Sequence, residues 1–486
     1  MRCAPLHRAA TTGWAHAAPN LFAIVGSGGY ARLHACPAGP PAWTQPSTIT
    51  ARYPMLSTIA PLSALFSGVA VLLLGSGLLG TLLGVRGTLE GFGDQVLGLI
   101  MSAYFLGFFL GTFIAPAAIR RMGHIRSFAF FGAVFTCTVL LHAIWVSPLA
   151  WGLLRVGTGI AVVALYTVIE SWLNATVSGE QRGRVFAVYM AINLVALAIG
   201  QQLLRIAPPD SFALFSVAAI LVVAAMLPVT ATRMAQPVLH ESGRLGVRRM
   251  FGLAPAASVG ALVSGLAVGV FWGLGPVYAG RLGLDPDGIA MFMTVTIIGG
   301  ALLQWPIGRL SDSGDRRRTL AAACLGAALM AGIAMMLPES RTFVFYGAFF
   351  FYGGLAFSVY PVAVAHLLDH VDPSEVLPAC STVLLLHGVG AAIGPTVAGF
   401  MMAHLGPAAF PGVLMMFQLS LGLYALARLS LRQRGVSTTD SHFHPMLRTT
   451  PTAMELLPEA EPGLETAAEE RAAAELAAQG DERQPK

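Results

Sequence analysis

The chain has 486 residues, 55% of them hydrophobic and 11% charged, with a mean hydropathy of +0.69. Soluble globular domains carry about 25% charged residues, so an ordinary soluble enzyme is excluded, and so is a chain that is disordered throughout. The net charge of +5 would suggest nucleic acid in a soluble protein, but here the basic groups separate long apolar runs, which leaves a polytopic membrane protein.

In chain order, residues 1–54 hold four Arg and no acid, with Gly- and Pro-rich runs. They read as a low-complexity extension. The longest apolar piece, Leu21–Gly26, is too short for a signal core. An acid-poor targeting leader is one reading; a true start at Met55, just before a clean first span, is the other. Twelve helices are predicted over 58–84, 95–118, 127–147, 149–173, 184–206, 211–231, 253–280, 288–308, 319–338, 342–367, 378–403 and 408–430, with Pro, Gly and charge marking the turns. They divide into a six-helix bundle over 55–232, a basic linker over 233–251 and a second bundle over 252–431. Residues 432–486 read as an acidic, disordered cytoplasmic tail, in which 465–479 has helix-forming composition.

Alternate loops differ sharply in Arg content. One set contains Arg120, Arg121, Arg126, Arg182, Arg184, Arg233, Arg244, Arg248, Arg249, Arg309, Arg316, Arg317 and Arg318. The opposite set contains only Arg86, Arg205, Arg281 and Arg341. The positive-inside rule then puts both termini in the cytoplasm.

The two halves repeat each other. Ser67–Val71 resembles Ser264–Val268, and Gly107 with Arg126 matches Gly299 with Arg318. Gly159 with Tyr166 matches Gly353 with Tyr360, and Ala198-Ile199-Gly200 matches Ala392-Ile393-Gly394. The spacings stay close to 194 residues, which indicates two parallel six-helix halves, as in transporters that rock about a midplane site.

After span 8 the chain reads Gly308-Arg309-Leu310-Ser311-Asp312-Ser313-Gly314-Asp315-Arg316-Arg317-Arg318. This resembles the cytoplasmic loop motif of the major facilitator superfamily. The preceding Gln304-Trp305-Pro306-Ile307 and the later Ala392-Ile393-Gly394-Pro395 resemble its YcaD-like transporters. The resemblance implies an all-α membrane fold of two pseudo-symmetric six-helix bundles over about 56–431. It also implies a gating motif built from Gly308, Arg309, Asp312, Arg316 and Arg317, with Gly308 allowing close helix approach and Asp312 pairing with Arg as a latch of the outward-open state. The first-half copy departs from the pattern, with Arg120 where an Asp is usual and Arg121 beside it, and Asp315 replaces the second Gly. Span 5 lacks the Gly-Pro motif of antiporters, so symport, antiport and uniport stay open.

Arg155, seven residues after Pro148 in span 4, falls in a segment resembling the superfamily's span-4 Arg/Gly motif. A charge at that depth is costly unless it faces a polar cavity; the alternative is snorkelling to the interface. Glu170 lies near the cytoplasmic end of the same span, either as a coupling carboxylate or in an ion pair with Arg121, Arg182 or Arg184. The repeat aligns Asn193 with His387, predicting two polar groups that face each other near the midplane. Tyr104, Tyr166, Gln201, Trp272, Gln304 and Tyr360 complete the cavity candidates, each with packing or interfacial anchoring as the alternative. His366, Asp369 and His370 end span 10, where complementing the helix dipole is favoured over a metal site.

No nucleotide loop, no zinc or disulfide spacing and no intramembrane catalytic constellation is found, so neither a cofactor, a metal, an enzyme activity nor a nucleic-acid partner is expected. The expectation is a monomeric secondary transporter in the bacterial inner membrane. It would move a small solute by alternating access through a cavity lined by spans 1, 4, 7 and 10, with spans 2, 5, 8 and 11 at the boundary of the halves. Coupling to protons is expected, and the lipid bilayer is its surroundings. A non-transporting receptor or scaffold on the same fold is the alternative.

Overall fold

The computed structural model describes residues 62–177, 179–231, 237, 243–337, 342–429, 442–446 and 450–460. Met1–Arg52 separates as one unit and Tyr53–Lys486 as another. The first unit, the start expected at Met55, Arg233, Arg341 and the helix expected over 465–479 lie outside the described residues.

Among the described residues, twelve helices are long and apolar enough to cross a bilayer. They are α1 (Ser63–Leu89), α2 (Asp94–Met122), α3 (His124–Ile144), α4 (Pro148–Thr176), α5 (Arg182–Gln202), α6 (Phe212–Ala231), α7 (Pro255–Arg281), α8 (Pro286–Asp312), α9 (Arg316–Met336), α10 (Thr342–Leu368), α11 (Val376–Leu405) and α12 (Ala409–Leu429). Hydrocarbon offers the backbone no hydrogen-bond partner, so each long apolar run must satisfy its own N–H and C=O groups as a helix. The sequence also sets the ends. Ser147 caps α4 and Asp285 caps α8, each followed by a Pro at the first helical position. Asp315, which replaces the usual Gly of the loop motif, caps α9 by accepting the Arg317 N–H at 2.9 Å. Gly91 and Gly283 adopt φ of 77° and 81° in corresponding turns of the two halves, a conformation that a side chain would strain.

The two bundles are pseudo-symmetric. In the first half α1 packs on α5 and α6, α4 on α2 and α3, and α3 on α6. The same pairing recurs in the second half, six helices on. The repeated glycines explain this likeness. Gly107 fits against the backbone of Val156, and its counterpart Gly299 against that of Phe350. Gly159 fits against Tyr104 O and Gly353 against Thr296 O. Small residues of this kind let membrane helices approach closely. The outer surface carries Leu99, Leu106, Phe113, Ile220, Leu302 and Phe351, all exposed, as a lipid-facing belt requires.

Two parts of the tail depart from the expectation of a disordered segment. Residues 442–446 and 450–460 are packed against the helices, with Met446, Ala453, Met454, Leu456 and Leu457 buried. The physical reason lies in a short apolar group, Ala453-Met454 and Leu456-Leu457, between Pro451 and Pro458, which finds cover between the two halves.

Candidate functional site

The halves meet along α2–α11, α5–α8 and α1–α7. Near the ends of α2 and α11 that carry few Arg, Gly98 fits against Pro395 O and Gly399 against Asp94 O, so the two backbones touch. One turn further on, Ser102 Oγ accepts from the Thr396 N–H at 3.1 Å and from its hydroxyl at 2.8 Å. Across α5–α8, Gln202 Nε2 donates to Thr294 Oγ1 at 2.6 Å, and the Thr294 hydroxyl donates to Ala198 O at 3.1 Å. Two ion pairs join the halves at the same end, Arg281–Asp94 at 2.8 Å and Arg205–Asp287 at 2.9 Å. That end is closed.

Besides an open apolar groove between α5 and α8, lined by Leu194, Ile199, Ile297 and Ile298, two small cavities along this boundary share Tyr104 and Phe105 of α2. The first, about 20 Å³, is lined by Ser76, Gly77 and Thr81 of α1, Arg155 and Thr158 of α4, Leu197 of α5 and Trp272 of α7. The second, about 60 Å³, is largely apolar. Phe108 and Phe109, Val268 of α7, and Leu384, Leu385 and His387 of α11 line it, with Arg244 and Pro451. These spaces hold a few waters, far below the roughly 300 Å³ of a small-molecule site. A solute needs the boundary to open.

Arg155 is 5% exposed and faces inward instead of snorkelling. Its guanidinium lies over the Tyr104 ring, 4.4 Å from the centroid, and an Nη2 approaches Met101 Sδ at 3.6 Å. Trp272, in the same cavity, stacks on Phe357. Gln201 stands just behind the wall: it accepts from the Thr81 hydroxyl and donates to Leu197 O at 3.0 Å. His387 lines the apolar cavity and lies against the Tyr360 ring, with centroids 4.5 Å apart. Spans 1, 4 and 7 line the cavities as expected, but span 10 stands one layer back, with Tyr360 behind His387 and Phe357 behind Trp272.

Three candidates are placed otherwise. Asn193 does not face His387. It is buried in the first bundle and donates to Tyr189 O at 2.7 Å, so equivalent positions in the repeat do not share one wall. Gln304 is buried inside the second bundle and lines neither cavity; among the described residues its amide has no hydrogen-bond partner. Tyr166 is buried against Phe108, one layer behind the apolar cavity.

Glu170 forms no ion pair with Arg121, Arg182 or Arg184. It is fully buried and accepts from the Tyr189 hydroxyl at 2.8 Å and from the Thr450 hydroxyl of the tail. Arg182 instead donates to Glu455 O at 2.8 Å, and Arg121 is exposed.

The loop motif is also used differently from expectation. Gly308 makes room for the Phe443 ring of the tail, not for a neighbouring helix. Asp312 accepts the Phe443 N–H at 2.9 Å and pairs with Arg316 at 2.8 Å. Arg316 also binds Asp369 at 2.7 Å, and Arg317 binds Asp315 at 2.9 Å. Asp315 lies outside the spans; burial pushes its carboxyl up, but Arg317 outweighs that and holds it below the usual range. Arg309 lies over the exposed Trp305 ring at 3.6 Å, and Arg120 is exposed. The motif therefore ties its own half together and holds the tail. His370 Nδ1 bonds His366 O at 2.8 Å, and the Arg316–Asp369 pair sits beside that helix end.

The tail contacts were not foreseen. The apolar group between Pro451 and Pro458, set in an otherwise acidic stretch, was the available signal.

Two matched six-helix bundles with cavities at their boundary define a polytopic membrane transporter. The model described as Major Facilitator Superfamily matches residues 257–456, the second bundle and the docked tail. An uncharacterized MFS-type transporter of Enterobacter sp. strain 638 is 28% identical over 350 residues, covering 71% of this chain and 89% of its own. The uncharacterized MFS-type transporter YcaD of Shigella flexneri is 29% identical over 354 residues, with the same coverage of 71% and 89%. Among solved structures, the nucleoside transporter NupG superposes with a TM-score of 0.62 at 15% identity, over 76% of this chain and 98% of that one. A bacterial homolog of the human lysosomal transporter Spinster, in its inward-facing and occupied conformation, gives 0.60 at 14% identity, over 78% and 96%. The second bundle is thus similar to the major facilitator superfamily, and most of the chain is similar to YcaD-like MFS-type transporters of bacteria.

Proposed function

We propose that this chain, as a monomer, moves a small amphiphilic solute by alternating access, with its Arg-rich end in the cytoplasm and protons as the coupling ion. The observation that carries this reading is the pair of cavities meeting at Tyr104, one polar around Arg155 and the other walled by aromatic and aliphatic side chains. Arg155 suits an anionic or strongly accepting end of the solute, because its delocalised fork binds such groups while its face rests on an aromatic ring. The apolar wall suits the body. The seal at the Arg-poor end supports an inward-facing arrangement, with access from the cytoplasm once the other end clears. Glu170 is the candidate proton carrier: its partners are hydroxyls, which can donate to a carboxylate or accept from an acid, so both protonation forms keep a partner.

The test is counterflow of a panel of radiolabelled amphiphilic anions in proteoliposomes, with and without an imposed pH gradient. Uptake that depends on the protein and on Arg155 supports the reading. Uptake that ignores the pH gradient removes the proton, and no counterflow with any amphiphile removes the solute class.

A further inference from the structure

We propose that residues 442–446 and 450–460 form a tethered plug: the space between the halves at the Arg-rich end is a peptide-binding surface whose partner is this chain's own tail, and the bound tail holds that end apart. The inference rests on the inward-facing reading above. It concerns an occupant of the vestibule and not the solute.

The tail touches both halves. Phe443 packs on Gly308 of α8 and donates its N–H to Asp312, both in the second half. The His444 ring lies against Phe186 of α5, in the first half. Thr450 then reaches Glu170 of α4, and the N–H groups of Thr450 and Ala453 face the same carboxyl. Residues Pro451–Leu456 form a 3-10 turn. Asn174 Nδ2 donates to Thr452 O at 2.6 Å, and Arg182 donates to Glu455 O at 2.8 Å. On the other side the turn packs against α11, and Pro451 forms part of the wall of the apolar cavity. The bonds from α4 and α5 go mainly to backbone carbonyls and to the start of the turn, so the surface reads an ordered peptide conformation. The buried Met454, Leu456 and Leu457 supply the apolar contact.

Charge favours the same pairing. Residues 435–486 hold 10 acidic and 4 basic groups, whereas the loops at this end hold most of the Arg. An acidic segment tethered beside a basic mouth is held at high effective concentration.

The wedge has a mechanical consequence. The turn stands between the ends of α4 and α5 on one side and α11 on the other, with Phe443 on α8, so these ends cannot approach one another while the tail is bound. A ligand that binds one arrangement of a two-state protein shifts the population toward it. The bound tail therefore favours closure at the Arg-poor end and blocks entry of solute from the Arg-rich end. Its release permits opening at the Arg-poor end and entry of solute from the Arg-rich end.

The experiment needs no known solute. Full-length protein in nanodiscs carries Ser102→Cys, a buried position in the closed seal, as a reporter. Site-resolved labelling by a membrane-impermeant maleimide is read by mass spectrometry, alongside hydrogen exchange. In the parent, amides of 450–460 are protected and Cys at 102 labels slowly. In the Met454→Glu/Leu456→Glu variant, that protection is lost while the spans keep theirs, and labelling rises at least about tenfold. Adding a synthetic 442–460 peptide reverses the rise. A parent whose 450–460 amides exchange freely overturns the docking. Lost protection with unchanged labelling overturns the plug. Neither result bears on whether the protein transports, which counterflow reads separately.

Discussion

The seal at the Arg-poor end depends on Gly399 having no side chain. A Cβ placed there would stand 2.5 Å from Asp94 O and 2.9 Å from Gly98 Cα, and real Cβ atoms essentially never come within 3.0 Å of such neighbours. Both obstacles are backbone, so Gly399→Ala can be accommodated only if α2 and α11 separate by about 0.5 Å or more. Overpacking of this kind costs about 1–3 kcal/mol. The same displacement stretches the Thr396–Ser102 hydrogen bonds, now 2.8 and 3.1 Å, at about 1 kcal/mol. Ala is a better helix former than Gly by about 1 kcal/mol, but that gain is common to both arrangements of the halves and cancels from their ratio. The closed arrangement is therefore penalised by about 2–4 kcal/mol, a shift of roughly 30- to 1000-fold in population. Spin labels at Leu89 of α1 and Leu405 of α11, both exposed at that end, report the separation of the halves by dipolar spectroscopy. The parent should give the shorter distance, and Gly399→Ala should populate a longer one while staying folded. An unchanged distance distribution would refute the idea that backbone contact at Gly399 makes the seal.

Arg155→Gln should abolish counterflow of amphiphilic anions at normal expression, and Arg155→Lys should restore it only in part, because an ammonium lacks the planar fork that rests on Tyr104; full activity of Arg155→Gln removes it from the solute path. Gln304→Met should raise the thermal midpoint, since it replaces a buried amide lacking partners among the described residues by a side chain of similar size, relieving about 1–3 kcal/mol; a lower midpoint or lost counterflow would reveal a polar role. Glu459 accepts from the His442 N–H at 3.1 Å and faces the His444 ring and Cys380. Burial pushes its carboxyl up, but His444 and the His442 N–H outweigh this and hold it below the ordinary range. A depressed value stabilises the docked tail above the unfolded carboxyl's pKa and loses that contribution as pH falls through the docked value. Exchange protection at 450–460 should thus hold from pH 8 to about 5 and fall below about pH 4. Glu459→Gln should flatten that fall, and an identical profile in the variant would discount the carboxyl.

What the sequence determined was everything set by local periodicity and solvent. Twelve apolar runs had to become helices because a bilayer leaves the backbone no other partner, and their ends fall within about five residues of the prediction. The repeat was legible because Gly107, Gly299, Gly159 and Gly353 each let one helix touch the next, a demand that fixes residue type at fixed spacing. Arg155 was legible for a related reason: a charge inside an apolar run needs a polar cavity. Contacts between distant segments were not legible. Asn193 and His387 occupy matching positions but different surroundings, because symmetry of the backbone does not fix which way two unlike side chains find partners. Glu170 meets Thr450, 280 residues away, and not the nearby Arg residues that its neighbourhood in sequence suggested. Gly308 looked like a helix-packing glycine and instead holds Phe443. Only the tertiary structure decided that one end is closed and that the tail lies in the other, because both follow from how two nearly identical bundles meet, and the free energy of that meeting is carried by backbone contacts and buried side chains that no local pattern encodes.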